Sequence, residues 1–269
     1  RFWDVAAQAP VAGGLAVTAA PKNAPHARTL AQPNGSGVYV LHDAPGLRAA
    51  AHGAGDEAYW AAPPAGRDFS LEVDDGGRRF HAVVIDARLP ARGFYVPACL
   101  AASPPQPAGY VPLFSTPARA APPGRAVIYA TLAADGRPAS WAMVSVESMG
   151  ETLGVGVADV EGRLALYFAF PVITPGAPAS PASPPASPLA PPPESPPAMP
   201  AVTATVSLAV RHDPALAGVA RPDLCALFAQ PARALFASLS PAVPLGPLEI
   251  ALGAPLTLGE PGARTVHVA

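Results

Sequence analysis

Residues 126–171 read AVIYATLAADGRPASWAMVSVESMGETLGVGVADVEGRLALYFAFP, and this stretch decides the class of fold. Its first seven residues, AVIYATL, form a short apolar run rich in β-branched and aromatic side chains, the kind that fit a pleated, half-buried surface. Asp135-Gly136-Arg137-Pro138 is turn chemistry and 141–146 (WAMVSV) reads as the returning strand, so a hairpin is expected. A second turn, Asp159-Val160-Glu161-Gly162, leads into the strongly apolar strand 163–170, which Pro171 ends. Glu147 and Glu151 flank a hairpin tip at Met149-Gly150 and are expected to face solvent.

Upstream, the same order of signals recurs more weakly. Phe2-Trp3-Asp4-Val5, a break at Pro10, Leu15-Ala16-Val17-Thr18, the turn Asn34-Gly35-Ser36-Gly37 and a strand at 38–41 read as a first copy of an internal repeat. Residues 69–73 alternate in the period of a half-buried strand, Asp74-Asp75-Gly76-Gly77 is a hairpin turn, and 80–85 is the return. After the second copy, 13 of the 30 residues from Pro171 to Pro200 are proline, which predicts an extended tether or strap with no core of its own. No basic residue flanks these prolines, so a spacer is favoured over an SH3-type ligand. Beyond it, Val202, Ala204, Val206, Leu208 and Val210 alternate as one strand. Short helices are expected at 223–228 and 232–239, and strands at 248–252 and 265–268 around the turn Gly259-Glu260-Pro261-Gly262.

The expected fold is therefore all-β, with two Ig/transthyretin-like β-sandwich modules, a Pro-rich linker and a small C-terminal segment of strands and short helices. Its divisions are 1–100, first sandwich; 101–124, Pro-rich connector; 125–171, second sandwich core; 172–200, tether; and 201–269, a β-rich segment that completes the second sandwich or stands alone. Composition agrees. With 38 prolines in 269 residues, long helices cannot dominate, while 50% apolar residues suffice for buried cores. A net charge of −2, with basic residues scattered singly apart from Arg78 and Arg79, gives no field for nucleic acid. No apolar run approaches the ~20 residues of a membrane helix, so no membrane insertion is expected. The sequence opens at Arg1 without a charged-then-apolar leader, and targeting is not legible in it. Cys99 and Cys225, far apart and in no metal-ligand spacing, read as buried free thiols.

Motifs that could carry chemistry stand in the wrong contexts. Gly53-Ala54-Gly55-Asp56-Glu57-Ala58 matches a dinucleotide fingerprint on letters, but no strand leads directly into it and no long helix follows. Ser36 lacks the strand-to-helix turn of a nucleophile elbow. His42-Asp43 and His212-Asp213 are sequence neighbours, which on a strand point to opposite faces. His26, His42 and His52 with Asp56 and Glu57 are the one concentration of metal-ligand types, and Asp74-Asp75 is a carboxylate pair in a solvated turn; neither has a ligand spacing. No catalytic residue, cofactor or metal is expected. Trp3 and Trp141 suit core positions, leaving Trp60 as the candidate exposed anchor.

The step Gly136-Arg137-Pro138-Ala139, the returning strand, Gly156-Val157-Ala158-Asp159 and Glu161-Gly162-Arg163-Leu164-Ala165-Leu166 resemble the carboxypeptidase regulatory-like modules, which are transthyretin-like β-sandwiches. The resemblance covers 126–171 and, more loosely, 2–46. A longer arrangement, Arg1-Phe2-Trp3-Asp4-Val5, Gly37-Val38-Tyr39-Val40-Leu41-His42, Pro45-Gly46-Leu47-Arg48, Val111-Pro112-Leu113-Phe114-Ser115 and Gly253-Ala254-Pro255-Leu256-Thr257-Leu258, is similar to proteins of bacterial phage-tail-like contractile injection clusters. It implies a non-enzymatic structural subunit (cap, collar or baseplate accessory) acting through contacts with protein subunits in multiple copies, in a cytoplasmic assembly or released particle. The competing expectation is an exported cell-surface adhesion or glycan-binding sandwich.

Overall fold

The computed structural model describes residues 1–47, 57–61, 65–101, 106–171, 202–258 and 265–269. The N-terminal part holds β1 (Phe2–Asp4), β2 (Ala9–Val11), β3 (Leu15–Pro21), β4 (Thr29–Leu30), β5 (Gln32–Pro33), β6 (Tyr39–Val40), the short helix α1 (Glu57–Ala61), β7 (Arg67–Asp75), β8 (Val83–Leu89), a 3-10 turn at Ala98–Ala101 and β9 (Val111–Leu113). There follow β10 (Arg125–Ala134), β11 (Arg137–Pro138), β12 (Met143–Ser148), β13 (Glu151–Val157), β14 (Arg163–Ala169) and β15 (Thr203–Arg211). The remainder is α2 (Leu224–Ala229), β16 (Ala232–Arg233), β17 (Leu235–Leu239), β18 (Ala242–Pro244), β19 (Leu248–Ala251), β20 (Leu256–Thr257) and β21 (Thr265–Val268). The fold is an all-β sandwich architecture of several sheets.

Two sheets face each other in the C-terminal half. One has the order β11-β10-β21-β17-β18, with β14 and β20 also on β10; the other has β13-β12-β15-β16, with β19 also on β15. Alternation along each strand sends Ile128, Leu132, Leu166, Phe168 and Val266 from the first sheet against Val144, Val146, Val206, Val210 and Ile250 from the second, all essentially buried. The N-terminal half contributes the sheet β4-β3-β7-β8 and the small sheet β2-β1-β9, in which β1 runs antiparallel to β2 and parallel to β9. These halves share a core. Met143 and Val157, on the opposite face of β12 and β13 from Val144, pack with Val73, Val83, Ile85 and Phe114 and with Leu224 and Leu227 of α2. Along β12 and β13 the second sheet is therefore buried on both faces.

Close approach between strands fixes particular residues. A Cβ at Gly154 would stand 2.7 Å from the Phe168 Cβ and 2.8 Å from the Tyr167 carbonyl oxygen, so β13 and β14 cross at a distance only glycine permits. Gly162 has φ +74° and a Cβ there would lie 2.3 Å from the Leu132 carbonyl oxygen.

Several expectations are corrected. The hairpin of 126–132 with 141–146 does not form as a ladder: β10 pairs with β14 over seven residues and touches only β11 on its return, while β12 belongs to the other sheet. The chain changes sheets at Trp141, whose φ of 62° turns it inward while its Nε1 donates to the Val219 carbonyl at 2.8 Å. Residues 232–239, expected as helix, are strands, because pairing of β17 with β18 and β21 outweighs a weak helical preference. The repeat in the sequence is not a repeat in pairing, since β3 pairs with β4 and β7 rather than with 38–41. By contrast the β7–β8 and β12–β13 hairpins form where the turns at Asp75 and Met149 place them.

The free-thiol reading is also overturned. Cys99, on the 3-10 turn of the N-terminal half, is disulfide-bonded to Cys225 on α2, with Cα atoms 5.6 Å apart and a separation of 126 residues. Spacing in sequence carried no sign of this, because the pairing depends on α2 docking beside β8 through the Val84 N–H to Pro222 carbonyl bond and the Asp223 cap. Strands on both sides of 172–200, which lies outside the described residues, build the same pair of sheets: β15 pairs with β12 along five residues.

Two outcomes follow. A protease site inserted within 172–200 and cleaved should leave one folded species that migrates as one covalent unit in non-reducing electrophoresis and as two fragments after reduction; separation of the fragments without reductant would contradict the pairing. Replacing both Cys99 and Cys225 by Ser should lower unfolding stability by about 2–5 kcal/mol, the range expected when a long loop loses its cross-link, read from the urea midpoint at constant slope.

Candidate functional site

Two turns of the same design face one cleft. In the first, Asp75 accepts backbone N–H bonds from Gly77 at 3.2 Å, Arg79 at 2.6 Å and Phe80 at 3.3 Å, and its carboxylate also takes the Arg79 Nε at 3.1 Å. In the second, Asp159 accepts from the N–H groups of Glu161 at 3.0 Å and Arg163 at 2.8 Å, and from the Arg163 Nε at 2.8 Å. Each is an Asx turn closed by an arginine four residues on. Burial alone would push the Asp75 pKa up, but the Arg79 side chain and the backbone donors outweigh it and hold the carboxyl below its ordinary value. With Phe80, His81 and Thr116 these turns line a cleft of about 580 Å³.

The polar groups of that cleft are committed to structure. His81, buried, places Nε2 3.0 Å from the Val157 carbonyl oxygen and its ring edge-on to Trp141. Thr116 Oγ1 donates to the Arg78 carbonyl. Asp74 pairs with Arg221 at 3.0 Å, and Glu72 takes both Arg28 and Arg221, so guanidinium groups hold the positions a cation would need on Asp74-Asp75. A third buried carboxylate, Asp4, is likewise closed by the Ala6 and Ala7 N–H groups and by Arg119.

The remaining sequence candidates are dispersed. His26 and His42 are exposed, His52, Asp56 and most of the Gly53 motif lie outside the described residues, and Glu57 pairs with Arg92. Among the described residues no group of three His, Cys, Asp or Glu is placed to hold a metal. Ser36 is a turn residue: its N–H and that of Val38 are held by Asn34 Oδ1. His212 is buried, while Asp213 caps the turn Pro214–Leu216 by accepting from the Ala215 N–H. Trp141 is core and Trp3 packs against Tyr110, whereas Trp60 sits half-buried on α1.

A second cleft, of about 480 Å³, was not legible beforehand. Residues as far apart in sequence as Phe2, Tyr39, Leu71, Leu89 and Phe94 line it, and it is predominantly apolar. No local pattern announces a site assembled from separate strands and loops. The repeated Asp-x-x-x-Arg of the two turns, on the other hand, stands in the sequence as Asp75…Arg79 and Asp159…Arg163. No protein-family model matches this chain, and neither a curated protein nor a solved structure matches it.

Burial pushes the His81 pKa below its ordinary value of 6.5, and burial with the neighbouring Arg233 does the same to His212. The native state then refuses protons that the unfolded chain accepts below about pH 6.5. Stability from these groups is complete above that pH and is lost as pH falls from there through the depressed native values. Chemical denaturation from pH 7.5 to 5 should show this decline, and a His81→Gln, His212→Gln double variant should lose most of the slope even if less stable overall.

Proposed function

We propose that this chain is a non-catalytic β-sandwich protein that acts by contact with other macromolecules in an oxidising compartment, as an exported adhesion-type module. The observation that carries the reading is the Cys99–Cys225 disulfide. Disulfides persist in secreted and surface proteins and are uncommon where thiol reductants are maintained. Support for the non-catalytic part comes from the carboxylates: Asp4, Asp75 and Asp159 are each closed by backbone donors and an arginine, an arrangement that holds turns rather than moving protons.

A structural subunit of a phage-tail-like contractile injection particle is the second reading, favoured by one feature. Met149 is fully exposed at the β12–β13 tip with φ 51°, a large apolar side chain on a left-handed backbone, and Val202 and Leu252 stand exposed beside one another at the end of β15 and β19. Apolar groups kept in water at a strained tip suit burial against a neighbouring subunit.

Fractionation of the native host separates the two. The exported reading expects the chain outside the cytoplasm, with both cysteines unreactive to alkylation until reductant is added. Recovery in the cytoplasm with free thiols, or co-sedimentation with sheath and tube proteins, would replace it with the particle reading.

A further inference from the structure

The inner face of the sheet β4-β3-β7-β8 is not matched by a second full sheet. The two-residue ladder β5–β6 and the irregular stretches 41–47 and 90–95 lie opposite it, and the apolar cleft of about 480 Å³ occupies the space between, with Val17, Leu71 and Ile85 on one wall and Tyr39, Leu41 and Phe94 on the other. Protein interiors keep few voids larger than a water molecule, whose share of liquid volume is about 30 Å³. The cleft is many times that and falls within the ~300–1,000 Å³ of small-molecule sites. Its charged lining residues are Arg1 and Asp43. Asp43 is exposed to water, whereas the Arg1 Nε is buried with no hydrogen-bond partner and its guanidinium lies 3.9 Å from the centre of the Phe94 ring. A guanidinium carries only donors, in a fork that matches a carboxylate.

We propose that this cleft binds a single-chain amphiphile with an anionic head, a fatty-acid carboxylate in class, its hydrocarbon tail against Leu71 and Ile85 and its carboxylate accepting from Arg1. Charge complementarity selects the ligand: an apolar volume alone would accept any hydrophobe, but an orphaned buried N–H of a cation is satisfied only by an acceptor, best by an anion. The site is independent of the compartment in which the protein works.

The test is titration of the whole chain with cis-parinaric acid, read by its fluorescence. Saturable one-to-one uptake is expected, with laurate displacing the probe at least tenfold better than dodecyltrimethylammonium, each below its micellar concentration. Arg1→Gln should abolish that tenfold preference while leaving the melting temperature unchanged, and Leu71→Trp, which fills the cleft, should abolish uptake. If Leu71→Trp fails to fold, the head-group preference in Arg1→Gln decides alone. Absence of saturable uptake, equal displacement by both amphiphiles, or a preference retained in Arg1→Gln would overturn the proposal.

Discussion

Burial of β12 and β13 on both faces is the constraint on which the rest of the structure depends. Val144 and Val146 point into the C-terminal sandwich, while Met143 and Val157 point into the core shared with the N-terminal sheets and α2. A strand buried on one face needs only every second residue apolar; one buried on both needs nearly all of them. The run Trp141-Ala142-Met143-Val144 meets that demand, and polarity returns only towards Glu147 and Ser148, where the hairpin leaves the protein and ends at the exposed Met149. The gradient from interior to solvent along one strand thus sets the position of the layer.

That double burial also explains why part of the fold was legible and part was not. Strand existence was plain wherever one face met water: β15 alternates because Val206 and Val210 are buried and Thr205, Ser207 and Ala209 are exposed. Strand pairing was not plain in 126–146, because a continuous apolar run carries no phase and so does not say which sheet it enters. An Asp-Gly turn between two such runs favours a hairpin locally, yet β10 gains more by pairing along its length with β14, and the second run crosses to the other sheet. Residues 232–239 failed differently, as a short segment of ordinary helix formers whose partners β18 and β21 are supplied from further along the chain. The disulfide and the apolar cleft were invisible for one shared reason: each joins residues that only tertiary structure brings together.

Scarcity of charge is matched by its placement. Only 13% of residues are charged, and the most buried carboxylates, those of Asp4, Asp75 and Asp159, are each satisfied by backbone N–H groups together with an arginine. A carboxylate taken from water without partners would be costly, and a lysine would give it a point charge where an arginine offers directed donors. These turns are consequently anchors. Asp4 and Arg119 tie the first strand to the segment that leads into β10, and Asp159 with Gly162 fixes the corner at which β13 gives way to β14. The same commitment leaves these carboxylates little freedom for acid–base work, which is why the carboxylate-rich turns of the sequence become structure rather than chemistry.

The N-terminal half can leave volume unfilled because its stability is borrowed. Its four-stranded sheet is held from below by the shared core, from the side by the Val84 to Pro222 bond and the Arg221 ion pairs, and covalently by Cys99 to Cys225. With three independent attachments to the C-terminal half, the sheet does not require a complete second layer on its other end to stay folded. Loops suffice there, and loops bridging a concave apolar face leave a space between strand and cover. The cleft beside Tyr39 and Phe94 is in this sense a consequence of the fixed middle layer: the part of the molecule that is packed most tightly is what permits the part that is open.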